Sequence, residues 1–381
     1  MVSSPSLKTA IGAVRGCFAQ AGLGPQPDAL ARHNEHGAHR PAPDAPLVLV
    51  ACSGGRDSLA LTAVAALVAG MNGLHLATII VDHQLQPGSA AVAARAARIC
   101  ESLGAERAFV RTVRVPEADI ARVGTEAAAR TARYTAFAAA AEETGAAAVC
   151  LAHTRDDQAE TVLLGALRSP SPAAFAGMPA LHCDSSGVLY LRPFLDVPRS
   201  ATTAICRKLG VDWWDDPTNG DNVPEGERGS LPLRSRVRQS VMPALEAVGG
   251  LAARDHLARF AARQRQDQEY LDAVARREFL RCAVPEADPA DGGVAPSRWD
   301  AARLRSLPPA IRRRVCGLVV EAAAAADGSE HRAQLERQAD QLEHLVVRVR
   351  GAGDVRVGCA TTVARRGHVI ELCQNDRYGS I

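Results

Sequence analysis

From residue 47 onward, short apolar runs alternate with amphipathic stretches. Leu47–Ala51 (LVLVA) is the length of a buried strand and too short for a buried helix. A helix is predicted over Asp57–Ala69, a strand over Leu74–Val81 and a helix over Ser89–Leu103. A strand over Ala108–Val115, a helix over Thr125–Thr144, a strand over Ala147–Ala152 and a helix over Asp156–Leu167 follow. Apolar strands separated by helices predict an α/β fold with a doubly wound parallel sheet covered on both faces. Ligands of such sheets sit beyond the carboxyl ends of the strands. Polar residues gather there: Ser53 after the first strand, Asp82 after the second, His153 after the fourth.

Outside that stretch the pattern loosens. Residues 5–22 read as a short amphipathic helix, and 24–46, rich in Pro, His, Gly and Ala, as a linker. A Pro/Gly loop is expected over 169–190, a helix over 198–210 and a second loop over 215–232. Residues 233–282 and 300–348 read as helices, 284–298 as a linker, and 353–373 as a few short strands. The expected division is therefore 1–46, an N-terminal helix and linker; 47–218, the α/β domain; 219–298, a helical region bearing many Arg; and 299–381, a small C-terminal domain within a mainly helical tail.

Composition narrows the class. A chain of 381 residues suits two or three domains. The net charge of +2 names no partner by itself. None of the ten Cys forms a Cys-x-x-Cys pair, so no tightly bound metal or iron–sulfur cluster is expected, and the thiols read as free in a reducing cytosol. No apolar run approaches the ~18 residues of a membrane span, and no secretory apolar segment opens the chain. The expected location is the cytoplasm, with no membrane partner.

The first strand runs into Ser53-Gly54-Gly55-Arg56-Asp57-Ser58. A Walker A loop needs Lys after its second Gly, and this chain has no Lys between residues 8 and 208. A Rossmann glycine fingerprint is absent from this stretch too. Two Gly at a helix start still let backbone amides approach an anion closely, and Ser53 and Ser58 add hydroxyl donors. Asp57 beside a polyanion implies a bridging cation, Mg²⁺.

Two further segments carry chemistry. In Leu151-Ala-His153-Thr-Arg-Asp156-Asp157-Gln158-Ala-Glu160-Thr161, three carboxylates open one helix. Acids are favoured at any helix start, but Asp157 and Glu160, three apart on one face, suit a cationic amine. In Glu126-Ala-Ala-Ala-Arg130-Thr-Ala-Arg133-Tyr134 the charged residues share a face, fitting either a solvated Glu–Arg pair or a phosphate contact.

The SGGRDS segment resembles the pyrophosphate loop of the N-type ATP pyrophosphatases, the PP-loop superfamily with its adenine nucleotide α-hydrolase-like fold. Asp82-His83-Gln84-Leu85, the Glu126–Tyr134 helix and the His153–Thr161 helix narrow the resemblance to the tRNA(Ile)-lysidine synthetase family. Arg192-Pro193-Phe194-Leu195, Asp216-Pro217-Thr218-Asn219 and Arg234-x-Arg236-x-Arg238 before Val241-Met242-Pro243 extend the match over about residues 47–250. Gln84 departs from the family's usual Gly, and Pro170 and Pro172 replace permissive glycines in the loop after Arg168.

The resemblance implies an ATP-dependent ligase that joins lysine to C2 of the wobble cytidine of an isoleucine tRNA, releasing AMP and pyrophosphate through an adenylated cytidine. It assigns ATP to Ser53, Gly54, Gly55, Arg56, Asp57, Ser58, Asp82 and Arg130, the metal to Asp57, and the substrate lysine to Asp157 and Glu160. Asp57 or Asp157 would accept the proton from the amine. His153, Asp156, Gln158, Glu126 and Arg133 complete the motifs. Arg234, Arg236 and Arg238 would grip tRNA phosphates, as would Arg228, Arg303, Arg305 and Arg312 to Arg314, which makes 219–298 a helical linker and tRNA-contacting region and 299–381 a small substrate-binding domain. The partners implied are tRNA(Ile) and lysine, with the chain a monomer or a homodimer. Three other readings share parts of the pattern. A tRNA thiolase would call for the Cys pairs this chain lacks, and an amide-forming pyrophosphatase would not need the Arg-rich tail. A decayed tRNA-binding protein would not need intact Ser53–Ser58 and Asp156–Glu160 segments.

Overall fold

The structure is a computed structural model, and it describes residues 4–26, 41–217, 223, 226, 229, 231–284, 296–327, 332–348, 354–357 and 361–374. It divides into two compact units, Met1–Arg265 and Gln266–Ile381.

The first unit is built on a six-stranded sheet. β1 (Leu47–Ala51), β2 (His75–Asp82), β3 (Arg107–Thr112), β4 (Ala148–Cys150), β5 (Leu181–Cys183) and β6 (Leu189–Leu191) stand in the order β3-β2-β1-β4-β6-β5. The first five in that order are parallel, as their apolar sequences predict. β5 runs antiparallel to β6 and forms an edge. The expected 169–190 loop thus holds a hairpin. Its strands are three residues long, too short to show a period, and Asp184 Oδ1 closes the turn by accepting from the N–H groups of Ser186 and Val188 at 3.0 Å each.

Helices cover both faces. α1 (Pro5–Gln20), α2 (Arg56–Asn72), α3 (Ser89–Ser102), α4 (Glu117–Val123), α5 (Thr125–Thr144), α6 (Arg155–Arg168) and α7 (Arg199–Leu209) precede α8 (Leu233–Arg236), α9 (Met242–Gly249) and the long α10 (Ala253–Cys282). The period of two along each strand separates two cores. Val48, Val50, Leu76 and Ile80 face Leu59, Leu61, Val64, Phe194 and Ile205. Leu49, Ala77, Ile79 and Val149 face Phe137, Ala140, Ala141 and Tyr190. α1 belongs to the first core through Leu7, Val14 and Phe18, with Ser4 capping its start.

Between α8 and α9 the chain widens into a π turn over Val237–Val241, which carries Arg238. Pro243 has no N–H to complete the α-helical ladder there, which favours the wider turn.

The second unit takes in the later part of α10. It pairs α11 (Ala301–Ser306), α12 (Pro309–Asp327) and α13 (Arg332–Val347) with a four-stranded antiparallel sheet. The sheet order is β7-β10-β9-β8, from β7 (Arg298–Asp300), β8 (Val355–Val357), β9 (Thr361–Arg366) and β10 (Val369–Gln374). The last three are the short strands expected near the C-terminus. Trp299, Leu304, Val315, Val319, Leu342 and Ile370 fill its core. No helix among the described residues is long and apolar enough to cross a membrane.

Candidate active site

The strand order reverses between β1 and β4, since β2 and β3 lie on one side and β6 on the other. Crevices open at such points beyond the strand ends. The loop after β1 and the helix start after β4 both lie there.

Ser58 folds the first loop on itself. Its hydroxyl donates to Gly55 O at 2.8 Å and accepts from Ser53 N–H at 3.2 Å. Among the described residues Gly54 N–H reaches only the Cys52 sulfur, at 3.4 Å. No side chain caps α2. Its first-turn amides have no intrahelical acceptor and therefore present N–H groups to an anion. Trp214 N–H braces the loop from outside by donating to Gly54 O at 2.9 Å.

The acidic helix start does two jobs. Asp157 Oδ2 accepts from the Thr154 N–H and hydroxyl, both at 2.8 Å, and so caps α6. Asp157 Oδ1 faces away, 3.0 Å from Arg199, 3.4 Å from Arg238 and 3.9 Å from Arg234. Glu160, fully buried, accepts from Arg238 at 2.7 and 3.0 Å and lies 3.4 Å from Arg199. Arg199 also stands 3.4 Å from Asp57 Oδ2, while the Thr202 hydroxyl donates to Asp57 Oδ1. One guanidinium thus bridges the phosphate loop and the acidic pair.

Asp156 ties elements together instead. Its Oδ2 accepts from Arg199 N–H at 2.8 Å and its Oδ1 from Arg254 at 3.0 Å. Gln158 clamps the far end of the following loop, donating to Met178 O at 2.9 Å and accepting from Met178 N–H at 2.7 Å. The Pro172–Phe175 turn in that loop lies so close to α6 that a Cβ on Gly165 would stand 2.1 Å from Ala174 O. The contact is made by Ala174, while Pro170 and Pro172 are exposed.

Proton affinities differ sharply across the site. Burial raises the Asp157 carboxyl, but Arg199, His153, Arg238 and the Thr154 N–H outweigh it and hold the group well below the usual carboxylate range. At Asp57 burial prevails over Arg199 and Thr202, and its pKa is raised. Burial pushes His153 down to about 3 despite Asp157, so the ring is neutral at pH 7. Its buried Nδ1 has no partner among the described residues, and neither does that of His83.

The His153 shift has a stability consequence. An unfolded His titrates near ~6.5. Between that value and about 3 the unfolded chain binds the proton and the folded chain does not. Stability is therefore full above pH ~6.5 and falls as the pH drops, by up to ~1.4 kcal/mol per pH unit from this group. Urea unfolding across pH 7 to 4 should show that decline, and His153→Gln should make it shallower. An unchanged slope in the variant would refute the assignment.

The other expected residues fall in varied settings. Asp82 is buried at the end of β2, and its Oδ1 accepts from Gln84 N–H at 2.9 Å. Gln84 takes φ 55°, the left-handed conformation its usual Gly counterpart adopts without strain. Arg130 lies 4.8 Å over the Tyr134 ring and is exposed, as is Glu126, while Arg133 is half-buried. Arg236 is exposed. Arg234 and Arg238 turn toward the acidic pair rather than outward. In the second unit Arg312, Arg313 and Arg314 pair with Glu343, Asp340 and Asp272, Arg303 lies near Asp300, and Arg305 donates to Val346 O. Thr218, Asn219 and Arg228 lie outside the described residues.

Arg199, Thr202 and Arg254 were not foreseen. Buried acids demand cationic partners, but nothing local in Pro198-Arg199-Ser200 marks that arginine as one of them. Among the described residues no three His, Cys, Asp or Glu side chains gather as a metal site. Asp57 is the one carboxylate of the Ser53–Ser58 loop itself, which suits an ion carried in on phosphates rather than a protein-built cage.

A glycine loop at an uncapped helix start, beside a buried acidic pair at the switch point of a parallel sheet, defines a PP-loop nucleotide domain. The family model described as PP-loop domain matches residues 31–245. A tRNA(Ile)-lysidine synthase of Bifidobacterium longum subsp. infantis is 40% identical over 402 aligned positions, covering 100% of both chains. Another, from Leifsonia xyli subsp. xyli, is 45% identical over 81% of this chain and 86% of its own. The chain belongs to the tRNA(Ile)-lysidine synthase family. Among solved structures, the U34-tRNA thiolase NcsA from Methanococcus maripaludis overlaps at a TM-score of 0.46 and 17% identity, covering 66% of this chain and 80% of its own.

Proposed function

We propose that this chain joins lysine to C2 of the wobble cytidine of a CAU-anticodon isoleucine tRNA, converting ATP to AMP and pyrophosphate. The observation that carries this is the convergence of Asp57, Asp157 and Glu160 on one cation beside the phosphate loop. A site that already holds a guanidinium among these three carboxylates is chemically suited to a lysine ammonium.

In this reading the cytosine O2 attacks the α-phosphorus of ATP, the bond to the bridging oxygen breaks, and pyrophosphate leaves. The amides of Ser53–Ser58 stabilise the charge growing on that leaving group. Asp57 would hold the Mg²⁺ that comes with the phosphates, and such an ion would further neutralise that charge. The lysine Nζ then attacks C2, and AMP departs with the C2 oxygen. Lysine must first lose a proton, since its free pKa is ~10.4. Asp157, held ionised, orients the ammonium, with Glu160. Asp57, whose pKa is raised while no metal lies beside it, is the better proton acceptor of the two once pyrophosphate and its ion have left. Arg130 and Arg236, exposed near this end of the sheet or on α8, remain the residues to contact tRNA phosphates.

The test is direct. The chain is incubated with ATP, labelled lysine and tRNA, and the tRNA is digested to nucleosides. Label is expected in a cytidine derivative, with one AMP and one pyrophosphate formed per lysine. Pyrophosphate release without labelled nucleoside would sink the reading.

A further inference from the structure

Arg199 lies at the start of α7, outside every segment to which the sequence reading gave a role. Its N–H is fixed on Asp156 Oδ2, so its backbone is anchored while its side chain reaches into the crevice. The side chain is 13% exposed and touches Asp57 at 3.4 Å, Asp157 at 3.0 Å and Glu160 at 3.4 Å. These carboxylates hold its charge firmly against the cost of burial.

Charge counting makes the next point. Three carboxylates, Asp57, Asp157 and Glu160, face three guanidiniums, Arg199, Arg234 and Arg238. The adjoining Asp156 is matched by Arg254 at 3.0 Å, so the acids against Arg199 are already balanced. An ammonium entering it adds an uncompensated positive charge at a poorly hydrated site, which is costly. It can enter only where a guanidinium leaves. Arg238 grips Glu160 through two bonds, at 2.7 and 3.0 Å. Arg234 touches the pair only at its edge, 3.9 Å from Asp157, and is held on the Thr161 hydroxyl at 3.3 Å. Arg199 lies between all three acids with longer contacts to Glu160 and Asp57, and it is the one that adjoins the first turn of α2, where a triphosphate would bring several negative charges. Thr202, on the same helix, keeps its own bond to Asp57 when Arg199 moves.

We propose that Arg199 is a positioning residue that couples the two subsites: it fills the amine site while the phosphate loop is empty and turns onto the phosphates when nucleotide binds. Lysine therefore binds after ATP. The inference rests on the reading given under Proposed function, in that it takes Asp157 and Glu160 as the amine site. Linkage makes the coupling reciprocal, so lysine tightens nucleotide binding by the same factor.

Calorimetry tests this without turnover. Lysine is titrated into the full chain, with no tRNA, in the absence and presence of saturating Mg²⁺ and α,β-methylene-ATP, which cannot transfer AMP. The wild-type chain should bind lysine fivefold or more tightly with the nucleotide analogue, the range typical of coupled sites. Arg199→Gln should bind lysine more tightly than wild type without nucleotide, and should gain less than about twofold from it. Arg199→Lys keeps the charge and should retain part of the linkage. A purely structural role would lower the unfolding midpoint of both variants and leave the linkage intact. Equal lysine affinity with and without nucleotide in the wild-type chain overturns the proposal, as does no lysine binding in either state or a full nucleotide gain in Arg199→Gln. If Arg199→Gln does not fold, the wild-type pair and Arg199→Lys decide. The labelled-lysine assay is run on the same wild-type preparation. Label without linkage sinks only this inference, whereas no labelled nucleoside sinks the function beneath it.

Discussion

Replacing Asp157 with Asn should all but end lysine incorporation while leaving nucleotide binding near its wild-type strength. Asp157 is 7% exposed and shares its two oxygens between helix capping and the cationic cluster. Asn keeps the shape and one acceptor oxygen but removes the charge. Two consequences follow. The substrate ammonium loses half of its acidic pair, and truncating one partner of a buried charge pair costs ~2–5 kcal/mol. At ~1.4 kcal/mol per decade, kcat/KM for lysine should fall by about 30-fold to a few thousandfold. The cluster is also left with excess positive charge, so stability should drop on the order of 3 kcal/mol. Carboxylates with depressed pKa stabilise the fold above their unfolded value and lose that effect as the pH falls through the folded one. The stability loss should therefore be present at pH 7 and vanish in strong acid. Steady-state kinetics in lysine, with nucleotide binding and urea unfolding as companions, decide it. A variant that keeps kcat/KM for lysine within about threefold would overturn the placement of the amine, while a selective loss of nucleotide binding would reverse the roles of the two subsites.

Gly54→Ala should have its largest effect on nucleotide affinity. Gly54 sits at φ 79°, a region that costs an L-residue ~1–2 kcal/mol. A Cβ there would stand 3.2 Å from the Ala96 Cβ on α3, tighter than ordinary contact. The loop can relieve both strains only by moving its backbone. That backbone carries the amides that would meet phosphate, and it is held by Trp214 N–H on Gly54 O. Strain of ~1–2 kcal/mol carried by the bound geometry is worth about 5- to 30-fold in affinity. Calorimetry with the ATP analogue should show a loss of that order, with lysine incorporation falling in parallel. Affinity within about twofold of wild type would mean that Gly54 does not set the geometry of the anion site. Asp157→Asn and Gly54→Ala also separate the two halves of the crevice, since each should damage one ligand first.

These expectations rest unequally on sequence. The strand at Leu47–Ala51 and the helix at Thr125–Thr144 have the predicted bounds, because both faces of the sheet are covered and the local pattern needs no help from distant residues. The hairpin of Leu181–Cys183 and Leu189–Leu191 is different. Three-residue strands carry no readable period, and they pair only because β6 adds to β4. α1 shows an apolar stripe in the sequence, yet its membership of the first core depends on where Leu59, Val64 and Ile205 come together.

The candidate site divides in the same way. Ser53–Ser58, His153, Asp157 and Glu160 stand at strand ends, so the topology brings them together as the motif order suggested. Arg238 shows the limit of the motif. Its spacing with Arg234 and Arg236 reads as a basic face for phosphate, but the π turn at Val237–Val241 carries it and its guanidinium meets Glu160. His153 shows another limit: its residue type suggests a titrating group, and burial removes that option near neutral pH.

By itself the sequence determined the parallel α/β sheet, the anion loop and the acidic helix start, because each depends on neighbours within a few residues: apolar period, glycine freedom and helix-end dipoles. Tertiary structure alone decided how the acids are neutralised. Arg199 lies 142 positions from Asp57 and 42 from Asp157 along the chain. A buried carboxylate requires a cation, but which arginine supplies it is settled only when α7 and α6 pack beside the first turn of α2.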